Sequence, residues 1–247
     1  EKVSVWTIPM NVGLIAAYAQ KMLPGIDVRI FKQPDEMINA IKKESPDVVA
    51  LSYYVWNTSL NGLLFKIAKE VNPHVLTVGG GPVFTDMNSN EEYAREFYTD
   101  QLHCDAYVLQ QGERGFVDLI NRFSELGNDV EKLRGELIPG LIVNNLARND
   151  RVQVSEPLAP LKDLDEIPSP YLTGLMDPFL NDRYVPLLET NRNCPYQCTF
   201  CFFGRGGSKA GKFNLDRVFG EIEYMCERTG ADYLICTDTN FGMLKRD

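Results

Sequence analysis

Residues 75–82 read Val75-Leu76-Thr77-Val78-Gly79-Gly80-Gly81-Pro82. Four residues that favour extended backbone run into three glycines and a proline, the pattern of a strand that stops in a turn. The same unit repeats on either side of it. Short apolar runs at 3–6, 28–31, 48–51 and 106–109 predict four more strands, and helical spacing falls at 14–23, 36–43, 60–71, 91–98 and 116–126. Five strands alternating with five helices predict an α/β domain, doubly wound and Rossmann-like, with a five-stranded parallel sheet covered on both faces. No internal repeat or low-complexity tract interrupts it.

A chain of 247 residues is long for one domain and short for two large ones, so one full domain plus a smaller or incomplete one is expected. Hydrophobic residues at 44% can build a sizeable core. The net charge of -9, with no basic stripe, argues against a nucleic-acid partner. No apolar run approaches the roughly 20 residues that cross a bilayer, and residues 1–9 lack a signal-peptide layout. A cytoplasmic protein with no membrane partner is expected. Glu1 is not an initiator Met, which predicts a trimmed N-terminus.

In such a sheet, ligands bind beyond the carboxyl ends of the strands. The segments there are Pro9-Met10-Asn11-Val12-Gly13, the stretch 52–59 (Ser52 to Ser59), Gly79-Gly80-Gly81-Pro82 and Gln111-Gly112-Glu113. The triple glycine permits close approach of a ligand, and equally a tight strand-to-helix turn. There is no GxGxxG after the first strand and no P-loop lysine, so a dinucleotide or nucleoside triphosphate is poorly supported.

A strand, then "GGGP", then a strand ending in "QGERG" resembles the cobalamin-binding domain fused to many radical S-adenosylmethionine (SAM) enzymes. The resemblance covers roughly residues 1 to 130. It implies cobalamin as a cofactor, with Asn11, Gly13, Ser52, Trp56, Gly79, Gly80, Gly81, Gly112 and Glu113 along the corrin and its nucleotide tail. One departure stands out: the Asp-x-His-x-x-Gly motif that gives classical cobalamin proteins a histidine ligand is absent. His74 and His103 precede strands, at the wrong end of the sheet, so cobalt would lack a protein histidine. Trp56 could cover the lower face of a corrin, or serve as core filler or a loop lid, and Tyr53 and Tyr54 carry the same ambiguity.

Residues 141–144 and 152–154, around a polar "NLARNDR", predict a β-hairpin that closes a first domain over 1–157. A proline-rich linker over 158–183 follows, in which "DLDEIPSPY" resembles the connecting segment of the cobalamin–radical SAM fusions. Residues 184–247 form the last part.

Six cysteines are too few and too unevenly placed for a disulfide framework, and three fall within eight residues. Cys194, Cys198 and Cys201 are spaced Cx3Cx2C, with Phe200 before the last, in a loop that follows an apolar run at 184–189. Four-iron clusters are held by cysteine thiolates, and three of them with no evident fourth leave one iron open for a substrate. Zinc is the alternative, and it lacks a nearby fourth ligand here. Cys104, Cys226 and Cys236 read as reduced core or helix-face thiols.

Cx3Cx2C with an aromatic before its last cysteine is similar to the radical SAM motif, and implies a 4Fe-4S cluster and SAM. Phe200, Gly204, Asp238 and Asn240 become the candidates to face SAM; a flexible loop around Gly204 and a helix-capping turn at 238–240 are the alternatives. Asn214 predicts a capped helix over 215–228, followed by a strand over 231–236.

The family forms a partial (β/α) barrel, and this chain would hold only its beginning. The resemblance implies a C-methyltransferase acting on a small-molecule or natural-product substrate, with an electron donor such as flavodoxin or ferredoxin, and inactive as a fragment. Oxidative cyclisation or ring rearrangement on the same domains is the second reading, and a non-catalytic cobalamin-binding or cluster-carrying module the third.

Overall fold

The structure is a computed structural model that describes residues 6–85, 89–149, 151–196, 198–201 and 209–243. The chain forms two compact units. One runs Gln33–Pro160, and the other joins Glu1–Lys32 to Leu161–Asp247. Helix α1 (Met10–Met22) belongs to the second.

The Gln33–Pro160 unit is an α/β sandwich built on one five-stranded sheet. Its elements are α2 (Pro34–Glu44), β1 (Val48–Ser52), α3 (Thr58–Val71), β2 (Leu76–Gly80), α4 (Glu91–Asp100), β3 (Ala106–Val108), α5 (Gly112–Glu125), α6 (Val130–Leu133), β4 (Leu141–Asn145), α7 (Leu146–Asn149) and β5 (Arg151–Val154). The strands lie in the order β1-β2-β3-β4-β5, parallel from β1 to β3 and antiparallel from β3 to β5.

Side chains alternate across the sheet with a period of two, so the sheet feeds a core on each face, and β3 and β4 feed both. Val49, Tyr107 and Ile142 pack with Phe65 and Ala68 of α3 and Phe97 and Tyr98 of α4 on one face. Leu76, Val78, Ala106 and Val108 pack with Leu119 and Phe123 of α5 and Leu133 of α6 on the other. Helices thus cover both faces, as the alternating pattern predicts.

The strand inventory differs from the expectation. The hairpin does not merely close the domain; it adds β4 and β5 to the sheet, with β4 antiparallel to β3. Residues 28–31 are not a strand. No described neighbour pairs with them, and a strand is defined by its ladder rather than by residue preference. The expected strand at 3–6 lies largely outside the described residues; Thr7 makes a single parallel bridge to Val185.

In the second unit β6 (Leu187–Leu188) pairs in parallel with β9 (Ile235–Cys236), and β7 (Asn191–Arg192) pairs antiparallel with β8 (Gly211–Lys212). Helix α8 (Leu215–Arg228) is capped as predicted, the Asn214 side chain accepting from the Asp216 amide at 2.8 Å. The proline-rich segment packs by inserting Leu164, Ile167, Tyr171, Met176 and Phe179 as buried anchors. Arg217 of α8 pairs with Glu221 at 3.0 Å, donates to the Ile167 carbonyl and lies over the Phe213 ring at 4.1 Å. Among the described residues no helix is long and apolar enough to cross a membrane.

Candidate functional site

The carboxyl ends of β1, β2 and β3 lie side by side, Ser52 opposite Gly80 and Gly80 opposite Val108. The loop after β1 is tied down by two asparagines. Asn57 Nδ2 and Asn61 Nδ2 donate to the Ser52 carbonyl at 2.9 and 3.0 Å, while Asn57 Oδ1 accepts from the Tyr54 amide at 2.8 Å. Tyr53 points inward, and the turn at 55–57 leaves Val55 and Trp56 outside.

Tyr53 is wholly buried, its hydroxyl donating to Gln101 Oε1 at 3.0 Å. Burial pushes its phenol and that of Tyr107 far above the usual range, so both stay neutral donors. Tyr53 is therefore core. Trp56 is 72% exposed and stacks on Tyr54 with ring centres 4.6 Å apart, which removes the core-filling reading for it.

The three glycines divide into two kinds. A Cβ on Gly79 would sit 2.8 Å from the Tyr107 ring, and one on Gly81 would sit 2.5 Å from the Tyr53 carbonyl oxygen, where φ is also +129°. The chain's own packing requires both. A Cβ on Gly80 meets nothing nearer than 3.7 Å, so packing leaves its small size unexplained and opens the strand end to an outside group. Gly79 and Gly80 are strand residues, not loop; only Gly81 turns the chain.

Gly112 and Glu113 likewise are not loop residues but the first turn of α5. Glu113 is buried, a carboxylate placed where the helix dipole favours it. Gln111 at the N-cap makes no side-chain cap, and its Oε1 is buried with no hydrogen-bond partner among the described residues. Gly115, which sequence reasoning passed over, packs against Val108, where a Cβ would lie 2.8 Å from a methyl. Asn11 and Gly13 are not in a loop either. They fall in the first turn of α1, in the other unit, where Gly13 admits Met176 and Pro170.

In that unit, Cys194 follows β7 and Asn193, whose φ is +66°. Cys194 is 9% exposed, Cys201 half-buried and Cys198 exposed; the Cys201 amide donates to the Cys198 carbonyl at 3.0 Å, and Phe200 points out, 90% exposed. Gly204 lies outside the described residues. Asn240 Nδ2 donates to Cys194 Sγ at 3.7 Å.

Asp238 is engaged by its own fold. Its Oδ1 accepts from the Thr190 and Asn191 amides at 2.7 and 3.2 Å, and its Oδ2 accepts from Asn191 Nδ2 at 2.8 Å and from the Thr190 hydroxyl. Spacing in the sequence signals none of these ties.

Among the described residues no three His, Cys, Asp or Glu side chains converge as on a single metal ion. A four-iron cube makes no such demand, because each thiolate binds a different iron. Three thiols on one short loop, with an amide N–H on the most buried of them, are a donor set that suits it. The open backbone at Gly80 and the orphaned Gln111 oxygen likewise suit a large, flat, amide-fringed ligand.

Residues 2–120 match the B12 binding domain family. Across 97% of its length the chain is 33% identical to a cobalamin-dependent radical SAM methyltransferase, TokK, of Streptomyces tokunonensis. Residues 2–120 belong to the B12 binding domain family. It is also 32% identical, again over 97%, to a 2-(S-pantetheinyl)-carbapenam-3-carboxylate methyltransferase of Streptantibioticus cattleyicolor. An uncharacterized methyltransferase of Pyrococcus horikoshii matches 85% of the chain at 27% identity and is covered over 43% of its own length. The chain spans 35% of the length of each of the first two relatives. The B12 binding domain match agrees with the α/β architecture built on the five-stranded sheet.

Proposed function

We propose that the protein carrying this chain is a cobalamin-dependent radical SAM C-methyltransferase. The observation that carries the reading is the Cx3Cx2C loop with an amide N–H on Cys194, in a chain whose other unit offers an open glycine cradle. When bound, the cofactors replace a carbon–hydrogen bond of the substrate by a carbon–methyl bond, the hydrogen leaving with the deoxyadenosyl group of one SAM and the methyl coming from another by way of cobalt.

The residues have separable tasks. Gly80 lets a ligand lie against backbone, the Tyr54–Trp56 stack offers an exposed flat apolar surface, and Gln111 Oε1 can accept from a side-chain amide of the corrin. Cys194, Cys198 and Cys201 would hold a four-iron cluster through their thiolates, and the cluster would supply the electron that cleaves SAM. A natural product or other small molecule as substrate, a flavodoxin or ferredoxin as electron donor and a reducing cytoplasm complete the reading.

The test is anaerobic reconstitution of the full-length protein with iron, sulfide and hydroxocobalamin, followed by assay of 5′-deoxyadenosine and methylated product. Both should form. A protein that holds a four-iron cluster yet cleaves no SAM sinks the proposal, and SAM cleavage without methylated product would favour ring closure or rearrangement.

A further inference from the structure

Cys194 is the most buried of the three cluster-motif cysteines, and the described contact to its sulfur comes from far along the chain. Asn240, beyond the end of β9, brings its Nδ2 to 3.7 Å from the Sγ. A thiolate sulfur can only accept, so the nitrogen and not the oxygen of the amide belongs there.

The geometry is held from both sides. β9 is fixed to β6, with the Ile235 amide donating to the Pro186 carbonyl at 3.0 Å and the Thr237 amide to the Leu188 carbonyl at 2.8 Å. One step beyond, Asp238 grips the two amides of Thr190 and Asn191 and the Asn191 side chain. The clamp therefore sits two residues before Asn240 on one strand end and three residues before Cys194 on the other. A side chain serving only as a turn cap would need no such alignment.

We propose that Asn240 is a positioning and tuning residue for the cluster, its amide donating to the Cys194 thiolate, and that Asp238 sets that contact rather than touching SAM. This rests on the cluster reading given above. A hydrogen bond to a cluster sulfur favours the state with more negative charge, which is the reduced one, and so raises the reduction potential. Asparagine supplies the N–H without adding a full charge at the sulfur.

The experiment is an EPR-monitored redox titration of the full-length protein, reconstituted with iron and sulfide and kept free of SAM. It is run on the natural sequence, on Asn240→Ala and on Asn240→Asp, which keeps the shape and loses the donor. Iron and sulfide content should be unchanged and both variants should titrate at more negative potential, the Asp variant at least as far as the Ala. Should Asn240→Ala fail to hold the cluster, the Asp variant carries the measurement. Unshifted potentials with intact clusters overturn this inference and leave the cluster reading standing. If the natural sequence forms no four-iron cluster, both fall.

Discussion

A methyl group on Gly81 would stand 2.5 Å from the carbonyl oxygen of Tyr53, the residue whose amide donates to the Gly80 carbonyl. The ends of β1 and β2 meet there backbone to backbone, and the Tyr107 hydroxyl adds a side-chain tie by donating to the Gly81 carbonyl at 2.9 Å. Gly81→Ala meets both the clash and a φ of +129°, and should cost about 2 kcal/mol or more. Urea unfolding checks it; an unchanged midpoint would show that the turn can relax.

Gly80→Val separates the cradle from the fold. The position is in a strand, a Cβ there meets nothing within 3.7 Å, and valine favours extended backbone. Stability should hold or rise slightly while hydroxocobalamin affinity falls by about tenfold or more, equivalent to roughly 1.4 kcal/mol. Equilibrium dialysis beside thermal unfolding reads both, and tight cobalamin binding by the folded variant would remove Gly80 from the site.

Trp56→Ala tests the stacked pair. With 72% of the residue exposed and no core contact to lose, stability should move by no more than about 0.5 kcal/mol. The cobalamin absorption spectrum and affinity should both change, because Tyr54 loses its stacking partner on the open side. A destabilised protein with unaltered cobalamin binding would return Trp56 to a purely structural role.

How much of this was legible depended on the range of the interactions. Helix α8 could be read to the residue, because Asn214, the apolar spacing and the cap act within a few positions. Residues 28–31 could not, since extended preference is local but the ladder that makes a strand is not. The hairpin was visible and its docking on β3 was not, for the same reason. "GGGP" announced a turn, yet only three-dimensional neighbours tell Gly79 and Gly81, needed for packing, from Gly80, which is not. The clamp of Asp238 on Thr190 and Asn191 spans 47 or more positions and leaves no trace in spacing.

Asp105 tests what holds the sheet at the end opposite the glycines. Its carboxylate is buried and accepts from Lys69 Nζ at 2.6 Å, Arg134 at 3.0 Å, and the Thr77 hydroxyl and amide at 2.7 and 3.0 Å. Replacing it by alanine strands two half-buried cations, and should cost about 3–5 kcal/mol in chemical denaturation. Leucine at Lys69 in addition should recover part of that loss; if Asp105→Ala alone is tolerated, water reaches the cations and the network is only superficial.

Replacing the three motif cysteines together, Cys194→Ala, Cys198→Ala and Cys201→Ala, should drop bound iron from about four per chain to below one after reconstitution. Cobalamin affinity should stay within about twofold, because Gly80, Trp56 and Gln111 all sit on the Gln33–Pro160 unit, which has its own two cores. Cys104→Ala is the matched control. That thiol is wholly buried, and burial pushes it well above its ordinary range, so it neither ionises nor reaches a cluster. The control should lose some stability and keep its iron. Iron retained by the triple variant would overturn the assignment of the motif, whereas iron and cobalamin lost together would show that the two sites are coupled.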